Sequence, residues 1–254
     1  MYVTDEEGIV VAKFFHDTYK KRDSPEILID AAMGRITLDD DEPCAEGGDE
    51  EVRVSATVHG GAGSIRQGII RQLVVRFELS DGLHIYGEPV PEGMIPTRVS
   101  VSGPPGLIIG DPVYPPTEPL RLESLDLELP VWSGTVDIVI PIYAVGELAS
   151  ETRPLDMDST SLEVNVRYQA CNDEACLLPK NEKLTIELAM DVMDVPAIPH
   201  HRGHGQRKGE FDGMPHLRRL LLRKTREHPL GLLSYIATNI KLEFAAMMRR
   251  RKKS

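Results

Sequence analysis

Cysteine is scarce: three residues in a chain of 254, at positions 44, 171 and 176. An odd, low count excludes a disulfide-dense secreted scaffold and leaves one close pair plus a leftover thiol. Aromatic residues make up only 5% of the chain, and there is a single tryptophan, Trp132. The first residues lack the basic-then-apolar layout of a secretory leader. No run of about 18 or more uncharged apolar residues occurs, so no membrane-spanning helix is encoded. As written, these features describe a cytoplasmic chain. The alternative is a periplasmic protein whose true start lies upstream of Met1.

Turn formers are abundant instead, with 21 glycines and 19 prolines. The net charge of −11 conceals two unlike segments. Residues 200–254 carry 14 Lys/Arg against 4 Asp/Glu, a net of +10, which leaves 15 basic and 36 acidic side chains before them, a net of −21. An acidic body with a basic tail implies physically different parts.

The chain opens with two β-rich runs, Tyr2–Thr4 and Ile9–Phe15, around the turn Asp5-Glu6-Glu7-Gly8. Ser24-Pro25 then starts a helix, serine as N-cap and proline at the first helical position. One hairpin and one helix are too little to fold alone, so this segment completes another sheet, docks on the next domain or is the stump of a larger one. Residues 38–51 are expected to be an acidic linker around Cys44, whose carboxylate neighbours disfavour the thiolate. From Val52 to about Val195 apolar residues alternate in short runs: 52–58, 71–79, 97–101, 120–129, 136–143, 162–170 and 184–192. Seven or more such runs between Gly/Pro-rich loops predict a mainly β fold, an immunoglobulin-like antiparallel β-sandwich. Val136–Ile142 alternates imperfectly, as a strand covered on both faces would. Trp132 reads as core or sheet-edge packing.

The organisation expected is thus 1–37, a linker 38–51, a sandwich 52–195, a polar linker 196–213 and a basic helical tail 214–254. In the polar linker, His200, His201 and His204 lack a cysteine or carboxylate to complete a metal set, so no metal and no cofactor are expected. The tail is expected to hold two helices, His216–Arg226 and Leu230–Arg251, ending in Arg249–Lys253. Docking on protein ranks ahead of contact with an anionic membrane surface. Nucleic acid comes last, because no nucleic-acid motif accompanies the cations.

Chemistry concentrates at Tyr168-Gln169-Ala170-Cys171-Asn172-Asp173-Glu174-Ala175-Cys176. Thiols at opposite lips of a short hairpin loop can come within disulfide geometry, Cα atoms about 4.4–6.8 Å apart. The residues alone leave two readings. One is a dithiol that exchanges through a mixed disulfide, with Asp173 and Glu174 raising the thiol pKa. The other is a non-catalytic interaction module in which the bond is a staple, although closing so short a loop removes little unfolded-state entropy. Zinc is disfavoured, since no second Cys/His pair completes four ligands.

Tyr168-Gln169-Ala170-Cys171 through Cys176-Leu177-Leu178-Pro179, with Gly82–Tyr86, Ile95–Thr97 and Val113–Pro116 upstream, resembles the N-terminal domain of the DsbD thiol:disulfide interchange proteins over about residues 52–192. The cysteine spacing is one residue shorter than in the best-known members. That resemblance implies a cysteine pair shuttling electrons to or from thioredoxin-fold or redoxin partners, with Cys176 forming the mixed disulfide and Cys171 resolving it. It also implies a loop around His84–Met94, including His84 and Tyr86, that covers the pair. Tyr2–Phe15, with Tyr19 and Arg22, is similar to the last hairpin of a peroxiredoxin-like domain of thioredoxin fold. No peroxidase activity is implied for this chain alone.

Overall fold

The computed structural model describes residues 1–122, 127–150, 153, 157–172, 174–192, 214–231 and, beyond them, 233–234, 236–238, 240–241 and 244. It begins with the expected hairpin, β1 (Tyr2–Thr4) and β2 (Val10–Lys13), then β3 (Arg22–Asp23) and α1 (Pro25–Met33). Ser24 is the N-cap with Pro25 behind it, and Gly34 ends the helix in the left-handed conformation, φ 66°. The Ser24 hydroxyl makes no capping bond; its N–H instead donates to Ile70 O at 3.1 Å.

The rest is an immunoglobulin-like β-sandwich. Its strands are β4 (Cys44–Gly48), β5 (Val52–His59), β6 (Ile69–Leu79), β7 (His84–Tyr86), β8 (Arg98–Ser102), β9 (Leu107–Ile109), β10 (Glu118–Leu122), β11 (Leu127–Ser133), β12 (Thr135–Ala144), β13 (Ser159–Tyr168), β14 (Ala170–Cys171) and β15 (Lys180–Ala189). One sheet runs β4-β5-β6-β12-β9, a second β15-β13-β8, and a third β10-β11-β7-β14. Alternation along the strands makes the core. Val54, Val75, Phe77 and Ile140 of the first sheet meet Val164, Leu184 and Ile186 of the second, and all are buried.

Several expectations change. Residues 44–48 are not linker but an edge strand in register with β5, Cys44 opposite Thr57; pairing satisfies the backbone that charge and glycine kept from packing a core. Cys44 stays a free, exposed thiol. The run 120–129 falls on two antiparallel partners, Leu120–Leu122 on β10 and Leu127–Leu129 on β11. β12 alternates strictly, one face buried and the other half-buried; its outer face carries the Arg76–Asp137 pair at 2.7 Å, so it is covered on one face only. Residues 84–86, expected in a loop, form β7 at the centre of the third sheet.

The N-terminal segment docks on the sandwich. β6 reaches beyond the pairing of β5 and β12, and β3 pairs in parallel with that overhang, Arg22 with Ile69 and Asp23 with Ile70. Glu26 of α1 accepts from Gly61 N at 3.1 Å and faces Arg71 at 3.5 Å. His59, ending β5, is held on both ring nitrogens: Asp30 Oδ2 lies 2.8 Å from Nε2 and both Glu42 oxygens lie 3.0 Å from Nδ1. Glu42 also accepts from Gly60 N at 2.6 Å. The His59 and Glu42 side chains are each 3% exposed.

α2 (Met214–Glu227) is the first expected tail helix, and it docks through Arg223, whose Nη2 donates to Arg153 O at 3.3 Å. Of the second expected helix only part lies among the described residues, and Arg249–Lys253, the polar linker and His200, His201 and His204 lie outside them. No helix among the described residues is long and apolar enough to cross a membrane.

Candidate functional site

The third sheet positions the cysteine pair. β7 has β11 on one side and β14 on the other, so Ser133, His84 and Cys171 stand in one cross-strand row. After Cys171 the chain reverses on Asn172, a residue whose side chain folds back on its own turn. Asn172 Oδ1 accepts from Glu174 N at 2.9 Å and Ala175 N at 2.7 Å, and Asn172 N donates to Ala175 O at 2.9 Å. That closure brings Cys176 opposite Cys171. The two are bonded, S–S 2.03 Å, with Cα atoms 4.0 Å apart. Leu177 N donates to Ala170 O at 2.8 Å and Gln169 Nε2 to Leu177 O at 3.1 Å, holding the returning arm beside β14.

The two sulfurs live in different surroundings. Cys171 is 1% exposed and packs with buried Tyr86, Leu129 and Val131, while Cys176 is exposed. Val90 and Met94, from the loop 87–96, pack on the same cluster. The feet of that loop are pinned: Gly87 N donates to Pro130 O and Thr97 N to Tyr86 O, both at 2.8 Å, and Glu88 pairs with Arg98 at 3.0 Å. The Tyr86 hydroxyl lies 3.7 Å from Cys176 Sγ. Burial pushes the Tyr86 phenol pKa up, so it keeps its proton at neutral pH and can donate to a thiolate on Cys176. The His84 ring meets Tyr86 edge-to-face at 5.4 Å. Cys176 is thus the exposed member of the bonded pair and Cys171 the buried one.

Of the residues expected to flank the pair, His84, Tyr86 and Gln169 gather around it. Glu174 stands exposed on the Asn172 turn, and Asp173 lies outside the described residues. Tyr168 turns inward, its ring edge-on to Phe77 at 5.5 Å, and burial raises its pKa. Leu129 and Val131, around Cys171, went unnoticed; alternation along 127–133 was their signal. So did Leu178, 85% exposed two residues past Cys176, which the Leu-Leu-Pro run could have flagged. Among the described residues no group of three His, Cys, Asp or Glu is placed to hold a metal ion.

Residues 62–188, half of the chain, match the family model described as thiol:disulfide interchange protein DsbD, N-terminal. No curated protein matches. Among solved structures, the N-terminal periplasmic domain of ScsB from Proteus mirabilis is 15% identical with a TM-score of 0.38, over 56% of this chain and 49% of that one. This chain therefore spans about half the length of the ScsB domain. The reduced N-terminal domain of DsbD from Neisseria meningitidis is 17% identical with a TM-score of 0.31, over 58% of this chain and 85% of that one.

Proposed function

The chain belongs to the family of DsbD N-terminal domains, and on that footing we propose that Cys171 and Cys176 form a relay passing reducing equivalents between thioredoxin-fold partners. The observation that carries this is the asymmetry of the bond, one cysteine exposed and one buried. In the reducing half, a donor thiolate attacks Cys176 Sγ and the Cys171 sulfur leaves as thiolate and takes a proton. The donor's second thiolate then attacks the donor sulfur bridged to Cys176 and frees Cys176 as a thiolate, so two electrons and one proton, the one on Cys171, have entered the pair. In the delivering half, the Cys176 thiolate attacks the client disulfide and one client sulfur leaves. Cys171 then gives its proton to the client sulfur that has left and attacks Cys176 Sγ; the intramolecular bond re-forms and the second client sulfur leaves as a thiolate. Tyr86 donates to the Cys176 thiolate whenever it is free. Donor and client are identified by class alone.

Cys171→Ser leaves the exposed thiol in place and traps a thioredoxin-fold partner as a mixed disulfide on a non-reducing gel; Cys176→Ser traps nothing. A bond that stays closed in redox buffers from about −180 to −300 mV overturns the relay and leaves a staple in an interaction module. Membership of this family favours the periplasmic placement over the cytoplasmic one.

We also infer that residues 1–37 are the C-terminal part of a redoxin-like domain. α1 packs on the β1–β2 hairpin, and Tyr2, Ile9, Val11, Phe15 and Ile29 are exposed, an apolar surface that a larger domain would cover. An in-frame redoxin sequence upstream of Met1 is expected in the gene; an unrelated frame there overturns the inference.

A further inference from the structure

A cavity of about 950 Å³ lies under the segment 112–117, away from the sulfurs. Its volume falls within the range of small-molecule sites, about 300–1,000 Å³. One wall is apolar: Tyr114 stacks on Trp132 at 5.8 Å and 17°, between prolines 112, 115 and 116. This wall is rigidly held. The Trp132 indole N–H donates to the carbonyls of Pro115 and Pro116 at 3.1 and 3.2 Å, and the Tyr114 hydroxyl accepts from Val99 N at 3.1 Å.

The floor is the outward face of β8, β13 and β15, and it is cationic where it meets this wall. Arg98 of β8 stands directly opposite Arg167 of β13, with Asn181 of β15 on the other side of Arg167. Like charges directly opposite across a sheet are destabilising. Glu88 neutralises Arg98 and Glu163 pairs with Lys183 at 2.8 Å, but Arg167 forms no ion pair among the described residues. An exposed guanidinium beside another guanidinium, facing a cavity with amide donors and an aromatic-proline wall, is a place for a carboxylate carried on an apolar body.

We propose that this cavity binds a small organic carboxylate, its charge on Arg167 and its apolar part against Tyr114 and the prolines. Trp132 is the sole tryptophan of the chain and lines the cavity, so its fluorescence reports occupancy. Cyclohexanecarboxylate, transparent at the excitation wavelength, is titrated into the full chain at constant ionic strength, with cyclohexylmethanol as the uncharged counterpart. The expected result is a saturable change in emission with the carboxylate, at least tenfold weaker with the alcohol and at least tenfold weaker in Arg167→Gln. Arg167 is exposed and forms no ion pair among the described residues, so this variant keeps the fold; Arg167→Lys, which retains the charge, restores part of the affinity. No saturable change, equal response to the alcohol, or unaltered binding in Arg167→Gln overturns the proposal. The disulfide is not read in this experiment, so its outcome is separate from that of the relay.

Discussion

His59 gives the sharpest test of how the N-terminal segment is held. Its two ring nitrogens face carboxylates from two different segments, Asp30 on α1 and Glu42 ahead of β4, with Arg71 and its partner Glu26 close by. Burial works against charge on the ring, but the hydrogen bonds and charges of Glu42 and then Asp30 outweigh it and raise the pKa above the ordinary 6.5. A raised native pKa means that the folded state holds the proton more tightly than the unfolded one. The stability His59 contributes is therefore fully present below about pH 6.5 and is lost as pH rises through the raised native value. His59→Ala leaves two carboxylates facing each other without the cation between them, and breaking a buried pair this way costs about 3–5 kcal/mol. For a chain of this size, at roughly 2–4 °C per kcal/mol, even the lower bound of about 3 kcal/mol moves Tm down by about 6–12 °C. Urea unfolding of wild type and His59→Ala at pH 6 and pH 9 measures it. The gap should be widest at pH 6 and narrow at pH 9, and adding Asp30→Asn should recover a large share of the pH 6 loss. A gap below about 1 kcal/mol, or one that is equal at the two pH values, refutes the reasoning.

Other outcomes follow from the cysteine site and its frame. Tyr86→Phe removes a hydroxyl beside Cys176; after reduction of the pair, the apparent pKa of Cys176 in iodoacetamide alkylation should rise, and alkylation at pH 7 should slow about threefold or more, with the fold kept. Leu178→Asp replaces an 85% exposed apolar side chain next to the reachable sulfur; reduction by a thioredoxin-fold protein should slow while reduction by dithiothreitol stays unchanged. Gly48 sits at φ 87°, and a Cβ there would meet Val52 O at 2.1 Å. Gly48→Ala should therefore destabilise the β4–β5 turn by more than about 1 kcal/mol in urea unfolding.

The sandwich was legible because its long strands alternate. Val52–Val58, Leu73–Leu79 and Val164–Val166 each show one buried face in sequence, and each lies in a strand. What escaped is structure made by partners distant in sequence. β7 spans three residues, and its place inside a sheet depends on β11 and β14, so the stretch around His84–Met94 was expected to be loop. β4 is charged and glycine-rich, and only the β5 edge makes it a strand. The cysteine pair was legible from its spacing and from the Tyr-Gln-x-Cys run. The difference in exposure between its two sulfurs was not, since that depends on Leu129, Val131, Val90 and Met94 arriving from other segments. His59 was silent for the same reason: nothing local in Val58-His59-Gly60 announces carboxylates 17 and 29 residues away.

The two ends of the sandwich do different work. The docking of residues 1–42 centres on Ile69, Ile70 and His59, at the start of β6 and the end of β5. The cysteine pair belongs to the other end, since the row of Ser133, His84 and Cys171 adjoins Gly134, which hydrogen-bonds to Leu79 at the end of β6. Leu79 lies nine steps along β6 from Ile70, about 30 Å at the rise of a strand. A group fixed to the N-terminal segment therefore stands a full strand length from Cys176 for as long as β3 stays paired with β6. Under the relay proposal, the partner thiol meets Cys176 at the far end, where Leu178 and the Asn172 turn are exposed. The His59 cluster then acts on the relay only by fixing which surface of the sandwich is left open to that partner.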